Sequence, residues 1–590
     1  MFERPRRQRL ALLAPPPDPA PPHGPSAAPR ALDGQDELAC LEPAFARSLM
    51  EDFDLAALSA RLCPVALEDG TAAIFALADD AAGDLAAELG RMLAARGYRL
   101  ADPAVYVLPA PLLLAVARGQ LTSHALRRRR TVLADPRKSG LASAFHELVA
   151  WGVHNGASDL HLNIRSRQAE SEVRYTIGGR YLTPERFRRM PTSTLAEIAA
   201  VAWMDVRGGN GAVFDPEVEQ QGRILQQVDG RSVMLRWASL ATDAGPSVCL
   251  RILRLDAPVG GDLAALGYLP GQVQAMERAC LSEGGAVVLA GVVGSGKSTT
   301  IAAMMHAIPG TRKVVTLEDP VEYLIPDALQ NTVGRRLDAS EGAPFDAKLK
   351  TIKRSAMNDL LIGEIRDVQS GRAFMDLAGS GISLYTTVHA GSALAIGDRL
   401  ASDFIGVPRS FLAAPGILKL LVYQSLLPRL CPRCALPLDA LFSGAPDARG
   451  VPREGGWWRD WVARIRRLYD LELAGLRVRN PQGCPACATP QLPQLNGTQG
   501  RTVAAELVEP GRDEAFLEGL LRGDALGLRR RHAARRRAAY DDPDMEGKTA
   551  MECAVYKMSR GEIDPRDVEP RFRAYATVEL ERDAHGGRHA

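Results

Sequence analysis

Short apolar runs separated by polar turns organise most of this chain. The clearest is Ala286-Val287-Val288-Leu289-Ala290, which reads as a strand of a parallel sheet buried on both faces. Similar runs follow at Lys313–Leu317, Leu360–Ile362 and Ser383–Val388, and the stretch after the first, Thr299–Ala307, is rich in Ala, Met and Ile and suits a helix. This alternation predicts a mostly parallel sheet with helices packed around it. Upstream the pattern changes. Leu141–Val153 reads as a helix and Glu172–Thr176 as a strand before a Gly178-Gly179 turn. Val233–Trp237 and Ser247–Leu253 alternate apolar with polar or charged residues. This predicts a second α/β domain whose sheet leans antiparallel. From Leu41 to Gly119 helical and strand patterns alternate again, at Ala56–Leu62, Thr71–Leu77, Leu85–Arg96 and Ala104–Leu108, which predicts a small α/β domain with no chemical motif. The Pro- and Ala-rich residues 11–30 predict a disordered tail, with order beginning near Asp36.

Composition narrows the class. A chain of 590 residues suggests roughly three to five domains. The formal net charge of +2 gives no general argument for nucleic acid. No apolar run approaches the length of about 20 residues that spans a bilayer, and Pro-rich sequence follows the basic start, so a cytoplasmic location is expected. Two basic runs, Arg127–Arg130 and the region from Arg529 to Arg537, read as solvated helix faces or as contacts to an acidic membrane or partner surface. Of nine cysteines, five are scattered, which does not suggest a disulfide framework.

Candidate chemistry collects at the ends of the apolar runs. Gly291-Val292-Val293-Gly294-Ser295-Gly296-Lys297-Ser298 is a phosphate loop in strand–turn–helix context. Its backbone N–H groups and the following helix N-terminus suit phosphate. Lys297 would reach the outer phosphates, and the Ser298 hydroxyl would ligate Mg²⁺. Gly291, Gly294, Ser295, Gly296, Lys297, Ser298 and Thr299 are therefore the candidate nucleotide-binding residues. The second run ends in Glu318-Asp319-Pro320-Val321-Glu322-Tyr323, the third in Gly363-Glu364-Ile365-Arg366-Asp367, and the fourth in His389. Acids at strand ends beside a phosphate loop stand where metal and attacking water are handled. Arg236 and Arg251 fall within strands that read as half-buried, so each needs a carboxylate or a phosphate partner. Two Cys-x-x-Cys pairs, Cys431/Cys434 and Cys484/Cys487, can supply four thiolates to one Zn²⁺. Between them Trp457, Trp461, Ile465 and Leu468 recur at helical spacing and predict a satellite core under an inserted helical hairpin.

Together these motifs resemble the secretion and pilus-assembly ATPases, over about Leu141 to Val568. Gly156-Ala157-Ser158-Asp159-Leu160-His161 is similar to that family's Gly-Ala-Ser-Asp-Ile-His signature. Thr316–Tyr323 is similar to its Asp box, Ile362–Asp367 to its Walker B segment, and Thr386–His389 to its His box. The resemblance implies a PAS-like N-terminal half (131–258) and a RecA-like ATPase half (259–590) carrying a zinc-binding insertion (431–487). A docking domain (36–130) and a tail (1–35) precede them. It implies ATP, Mg²⁺ and Zn²⁺ as ligands and a homohexameric ring, a closed set of head-to-tail interfaces. Expected partners are an inner-membrane platform protein and a membrane-anchored linker protein, at the inner face of the inner membrane. Glu318 becomes the water-positioning acid and Glu364 the Mg²⁺-supporting acid. His389 becomes a γ-phosphate sensor, and Arg236 and Arg251 reach the phosphates from the PAS-like half.

Some positions depart from the family pattern. Arg354-Ser355-Ala356-Met357-Asn358-Asp359 stands where Arg-x-Asp-Pro-Asp is usual. Ile382 stands where His is frequent, and Gly391 where Asn is. These suggest a divergent branch, such as one serving thin conjugative pili. Retraction motors of the family lack both the tetracysteine insertion and the extra N-terminal domain, so the resemblance favours assembly over retraction. A DNA-transfer ATPase of a conjugation system and a non-hydrolysing ATP-gated scaffold are the competing readings. The near-neutral charge weighs against the first, and the retained Lys297, Glu318 and Glu364 against the second.

Overall fold

The computed structural model describes residues 29–32, 34–53, 61–117, 121–123, 126, 136–254, 262–333, 343–489 and 491–586. Most of the expected tail and the Arg127–Arg130 run lie outside them. The chain forms two compact units that part between Ser143 and Ala144, within the helix Pro136–His154.

The smaller unit is a five-stranded sheet. Its strands are β1 (Arg30–Ala31), β2 (Phe45–Ser48), β3 (Leu62–Leu67), β4 (Ala72–Ala76) and β5 (Leu100–Val107), in the order β1-β5-β4-β3-β2. β1 and β4 pair parallel with β5, β3 pairs antiparallel with β4, and β2 pairs antiparallel with β3. All of β4 is buried, because alternate side chains enter two different cores. Phe75 packs with Phe45 and Tyr106 on one face. Ile74 packs with Leu89 and Leu93 of the helix Asp84–Ala95 on the other. Structure begins earlier than the expected Asp36. β1 pairs Arg30 with Tyr106 and Ala31 with Val107, and Leu32 is buried behind it. So short a strand carries no periodic signal.

The larger unit holds two seven-stranded sheets, which cover the residues expected as two domains. The first comprises β6 (Ala157–Asn163), β7 (Glu170–Ile177), β8 (Arg180–Leu182), β9 (Met190–Pro191), β10 (Gln220–Val228), β11 (Arg231–Leu240) and β12 (Ser247–Arg254). Its order is β10-β11-β12-β6-β7-β8, with β9 beside β7. Every pairing is antiparallel, so the antiparallel lean read from the alternation is complete. The helix Pro136–His154 lies against it: Tyr175 donates from its hydroxyl to the Leu148 carbonyl at 2.9 Å. Gly152 permits the approach, since a Cβ there would meet Ile252 and Tyr175 at 3.0 Å.

The second sheet carries the chemistry. Its strands are β13 (Ala286–Ala290), β14 (Val314–Glu318), β15 (Leu329–Thr332), β16 (Asp359–Ile362), β17 (Ser383–Val388), β18 (Leu418–Leu430) and, late in the chain, a long partner (Thr498–Val508). The order is β15-β14-β16-β17-β13-β18 followed by that last strand. The first six are parallel and the last is antiparallel to β18. β13, β16 and β17 are buried throughout. One face packs on Phe374, Leu377 and Leu412, the other on Met276, Ile301 and Met304. Among the described residues no helix is long and apolar enough to cross a membrane.

The segment between the Cys pairs corrects one expectation. It forms one α-helix, Gly455–Tyr469, between two short 3₁₀ helices, Leu438–Ser443 and Leu473–Gly475, and not a hairpin. Its buried face is Trp458, Trp461, Val462, Ile465 and Leu468, packed with Met558, Val568 and Tyr575 from the C-terminal helices. Trp457 is 39% exposed. It stands edge-on to Trp458 with the Arg453 guanidinium over its ring. The periodicity located the stripe but began it one residue early, because the C-terminal helices decide which flank of the helix is covered.

Candidate nucleotide site

β14, β16, β17 and β13 lie side by side, so their carboxyl ends bring four separate polar segments to one edge of the sheet. This is where open α/β sheets bind ligands. After β13 the phosphate loop turns into the helix Lys297–His306. Gly294 and Gly296 hold φ +76° and +85°, a region that favours glycine. At Gly291 an added Cβ would collide with the Ser295 side chain and the Gln424 carbonyl. Gln424 pins the loop from β18. Its amide donates to the Ser295 carbonyl at 2.8 Å, and its own oxygen accepts from the Tyr268 hydroxyl at 2.6 Å. The Ser295 hydroxyl is buried with no hydrogen-bond partner.

Lys297 donates to the Gly291 and Val292 carbonyls at 2.8 and 3.2 Å. Burial lowers its pKa, with Glu364 and Glu322 opposing and Arg251 assisting. These charges converge on one place. Thr299 donates to the Tyr323 hydroxyl at 3.2 Å. Glu318, at the end of β14, is a part-buried carboxylate. Its Oε1 accepts from the Thr316 hydroxyl at 2.6 Å and from the Gln330 amide at 3.1 Å. Burial pushes its pKa up, and these two bonds oppose the shift. A cavity of about 40 Å³ lined by Ser298, Glu318, Tyr323, Gly363 and Thr387 separates the acid from the phosphate loop, enough for a water molecule. Glu364 follows β16, and its Oε1 is 3.1 Å from His389 Nε2 beyond β17.

Arg236 and Arg251 of the antiparallel sheet reach this edge. They are cross-strand partners in β11 and β12. Arg236 donates to the Asp319 carbonyl at 3.1 Å. Arg251 lies 3.3 Å from Asp159 and 3.8 Å from Glu322. Of the two partners considered for them, Arg251 has carboxylates and Arg236 a backbone oxygen.

Asp159, Thr316, Gln330, Gln424 and Arg501 escaped the sequence reading as site residues. Arg501 reaches the Gly294 carbonyl at 3.4 Å. Thr316 had a signal: two residues before Glu318 on a strand, it shares that side chain's face. Asp159 stands in the Gly156–His161 segment that carries the family resemblance, while Gln330, Gln424 and Arg501 come from other segments and had none.

The four cysteine Sγ atoms lie within 4.8 Å of one another. Cys431–Cys484, Cys434–Cys487 and Cys484–Cys487 are 3.8, 3.6 and 3.8 Å apart. Tetrahedral Zn–S bonds of about 2.3 Å place sulfurs about 3.8 Å apart, and a disulfide would need about 2.05 Å. The donor set fits a thiophilic cation. Burial opposes ionisation of Cys487, yet backbone N–H groups of Cys484 and Gly497 at its Sγ help bring the thiol down to about 7.

A phosphate loop on a parallel sheet, with carboxylates at the neighbouring strand ends, defines a P-loop ATPase. The family model described as Type II/IV secretion system protein matches residues 138–521, and the chain belongs to that family of motor ATPases. It is 28% identical over 389 residues to the Type II secretion system protein E of Klebsiella pneumoniae, covering 63% of this chain and 68% of that one. Identity to the type IV pilus assembly ATPase PilB of Thermus thermophilus is 27% over 355 residues, 60% of this chain and 35% of that one. The crystal structure of the ATPase DotB of Legionella pneumophila overlaps with a TM-score of 0.46 at 15% identity, covering 75% of this chain and 96% of that one.

Proposed function

We propose that this ATPase works as a hexameric ring at the cytoplasmic face of an inner membrane. It powers assembly of a type IV-type pilus or a type II secretion pseudopilus through a platform protein and a membrane-anchored linker. The observation that carries the reading is the convergence at one sheet edge. The phosphate loop, Glu318, Glu364 and His389 meet there with Arg236 and Arg251, which come from a different sheet. Chemistry that spans two layers can convert nucleotide turnover into relative movement of those layers.

In this reading the antiparallel sheet is the PAS-like half and the parallel sheet the RecA-like half. The loop amides, Ser295 and Lys297 bind the phosphates of ATP. Ser298 would hold Mg²⁺ with support from Glu364, and the ion when bound neutralises charge on the phosphates. Glu318 orients a water for in-line attack on the γ-phosphorus. A bond forms from that oxygen to phosphorus, the bond to the β-bridging oxygen breaks, and the water's proton passes to the carboxylate. His389, held by Glu364, stands where loss of the γ-phosphate is sensed. Cys431, Cys434, Cys484 and Cys487 hold Zn²⁺ and tie the end of β18 to the segment before its antiparallel partner.

The test is steady-state ATPase activity of the purified chain and of Lys297→Ala, with particle mass measured with and without nucleotide. Turnover in a ring-sized particle that vanishes in Lys297→Ala is expected. A monomer with full turnover would remove the ring.

A further inference from the structure

We propose that Gln330 is a positioning residue for ATP hydrolysis, aiming the Glu318 carboxylate at the attacking water. The inference rests on the reading of Glu318 as the water-positioning acid. Gln330 lies on β15, in register beside Thr316 of β14. Its side-chain amide makes three hydrogen bonds to one loop. Nε2 donates to Glu318 Oε1 at 3.1 Å and to the Tyr323 carbonyl at 2.8 Å, and Oε1 accepts from the Ile325 N–H at 2.9 Å.

This set fixes the amide's orientation. The Ile325 N–H requires an acceptor and the Tyr323 carbonyl requires a donor. The second hydrogen of Nε2 must then face the carboxylate. Thr316 donates to the same Oε1 at 2.6 Å. Both donors thus hold one carboxylate oxygen, the Glu322 N–H also bonds the carboxylate, and Glu318 lines the cavity shared with Ser298, Gly363 and Thr387. The Tyr323 hydroxyl is in turn bonded by Thr299, in the first turn of the phosphate-loop helix. Gln330 therefore couples the acid to the nucleotide-binding helix through Tyr323. A long-chain amide suits the task. Asn would not reach, and Glu would oppose a second carboxylate and lose both donors.

The experiment measures kcat, KM and affinity for a fluorescent ATP analogue in Gln330→Met, Gln330→Glu, Glu318→Gln and the Glu318→Gln/Gln330→Met double variant, using the full chain. Gln330→Met keeps the side-chain length and removes all three bonds. Its kcat is expected to fall about 10- to 100-fold, with nucleotide affinity within about twofold, because misplacing a catalytic group costs rate and not ground-state binding. Gln330→Glu still accepts from Ile325 and should lose at least as much kcat. In the double variant Gln330→Met should add nothing to Glu318→Gln, since the two act as a unit. Parental kcat in Gln330→Met beside an inactive Glu318→Gln overturns the role of Gln330 and leaves that of Glu318. Near-parental kcat in Gln330→Glu reduces Gln330 to a loop staple and also overturns the proposal. Parental turnover in Glu318→Gln removes the underlying reading instead.

Discussion

The Arg251 guanidinium stands 3.8 Å from the Glu322 carboxylate, joining the last strand of the antiparallel sheet to the acidic loop after β14. The same side chain is 3.3 Å from Asp159 on β6. Its acid partners therefore come from both layers of the larger unit, and in the proposed reading it exchanges one of them for a phosphate as nucleotide binds. Arg251→Ala should lower kcat by at least about tenfold. Arg251→Lys should not restore it, because a point charge on a flexible stem cannot bridge two carboxylates as a planar fork does. Steady-state kinetics with circular dichroism as a folding control would decide. Parental turnover in Arg251→Ala would make the residue a structural tie only.

The cysteine cluster should hold about one zinc per chain by elemental analysis. Cys484→Ser, or a strong chelator, should release the metal and lower the melting temperature by several degrees, since the bonds that tie the two knuckles through one ion are then lost. A metal-free purified protein with an unchanged melting curve under chelator would refute this.

Glu506 is 2% exposed in the strand beside β18, and its Oε1 has no hydrogen-bond partner. Burial pushes its carboxyl from 4.5 up to about 7, with Glu552 adding to the shift and Ala550, Leu394 and Arg529 opposing it. Between those values the folded chain binds a proton that the unfolded chain releases. Stability from this group is therefore full below about pH 4.5 and is lost as pH rises toward 7. The full effect is on the order of 3 kcal/mol. Glu506→Gln should melt above the parent at pH 8, and the gap should narrow toward pH 5. A gap independent of pH would show that Glu506 is already paired when ionised.

Trp458 and Trp457 are neighbours with opposite surroundings. Trp458→Ala empties a fully buried site and should cost about 3–5 kcal/mol in denaturant unfolding. Trp457→Ala removes a flank contact and should cost less than about 1 kcal/mol. Equal losses would mean that Trp457 also belongs to the core.

Much of the site was legible because its chemistry is local. The phosphate loop needs glycines at fixed offsets, and buried strands need unbroken apolar runs. The acids and His389 follow those strands directly, so β13, β14, β16 and β17 and their polar ends could be read without knowing the strand order. Periodicity also gave the satellite helix, though not the flank it buries: Trp457 is exposed where Trp458 is enclosed.

The set of elements and the chemistry at their ends are written in the order of residues alone, since backbone preference and burial period act over a few residues. The tertiary structure alone decided the neighbours. It set β14, β16, β17 and β13 side by side, turned Arg236 and Arg251 from another sheet toward the acids, closed four cysteines to bonding distance of one ion, and brought Gln330 onto Glu318. β1 came into being only through pairing with β5. Such contacts join residues far apart in the chain, and their energy depends on which surfaces meet, so no local pattern records them.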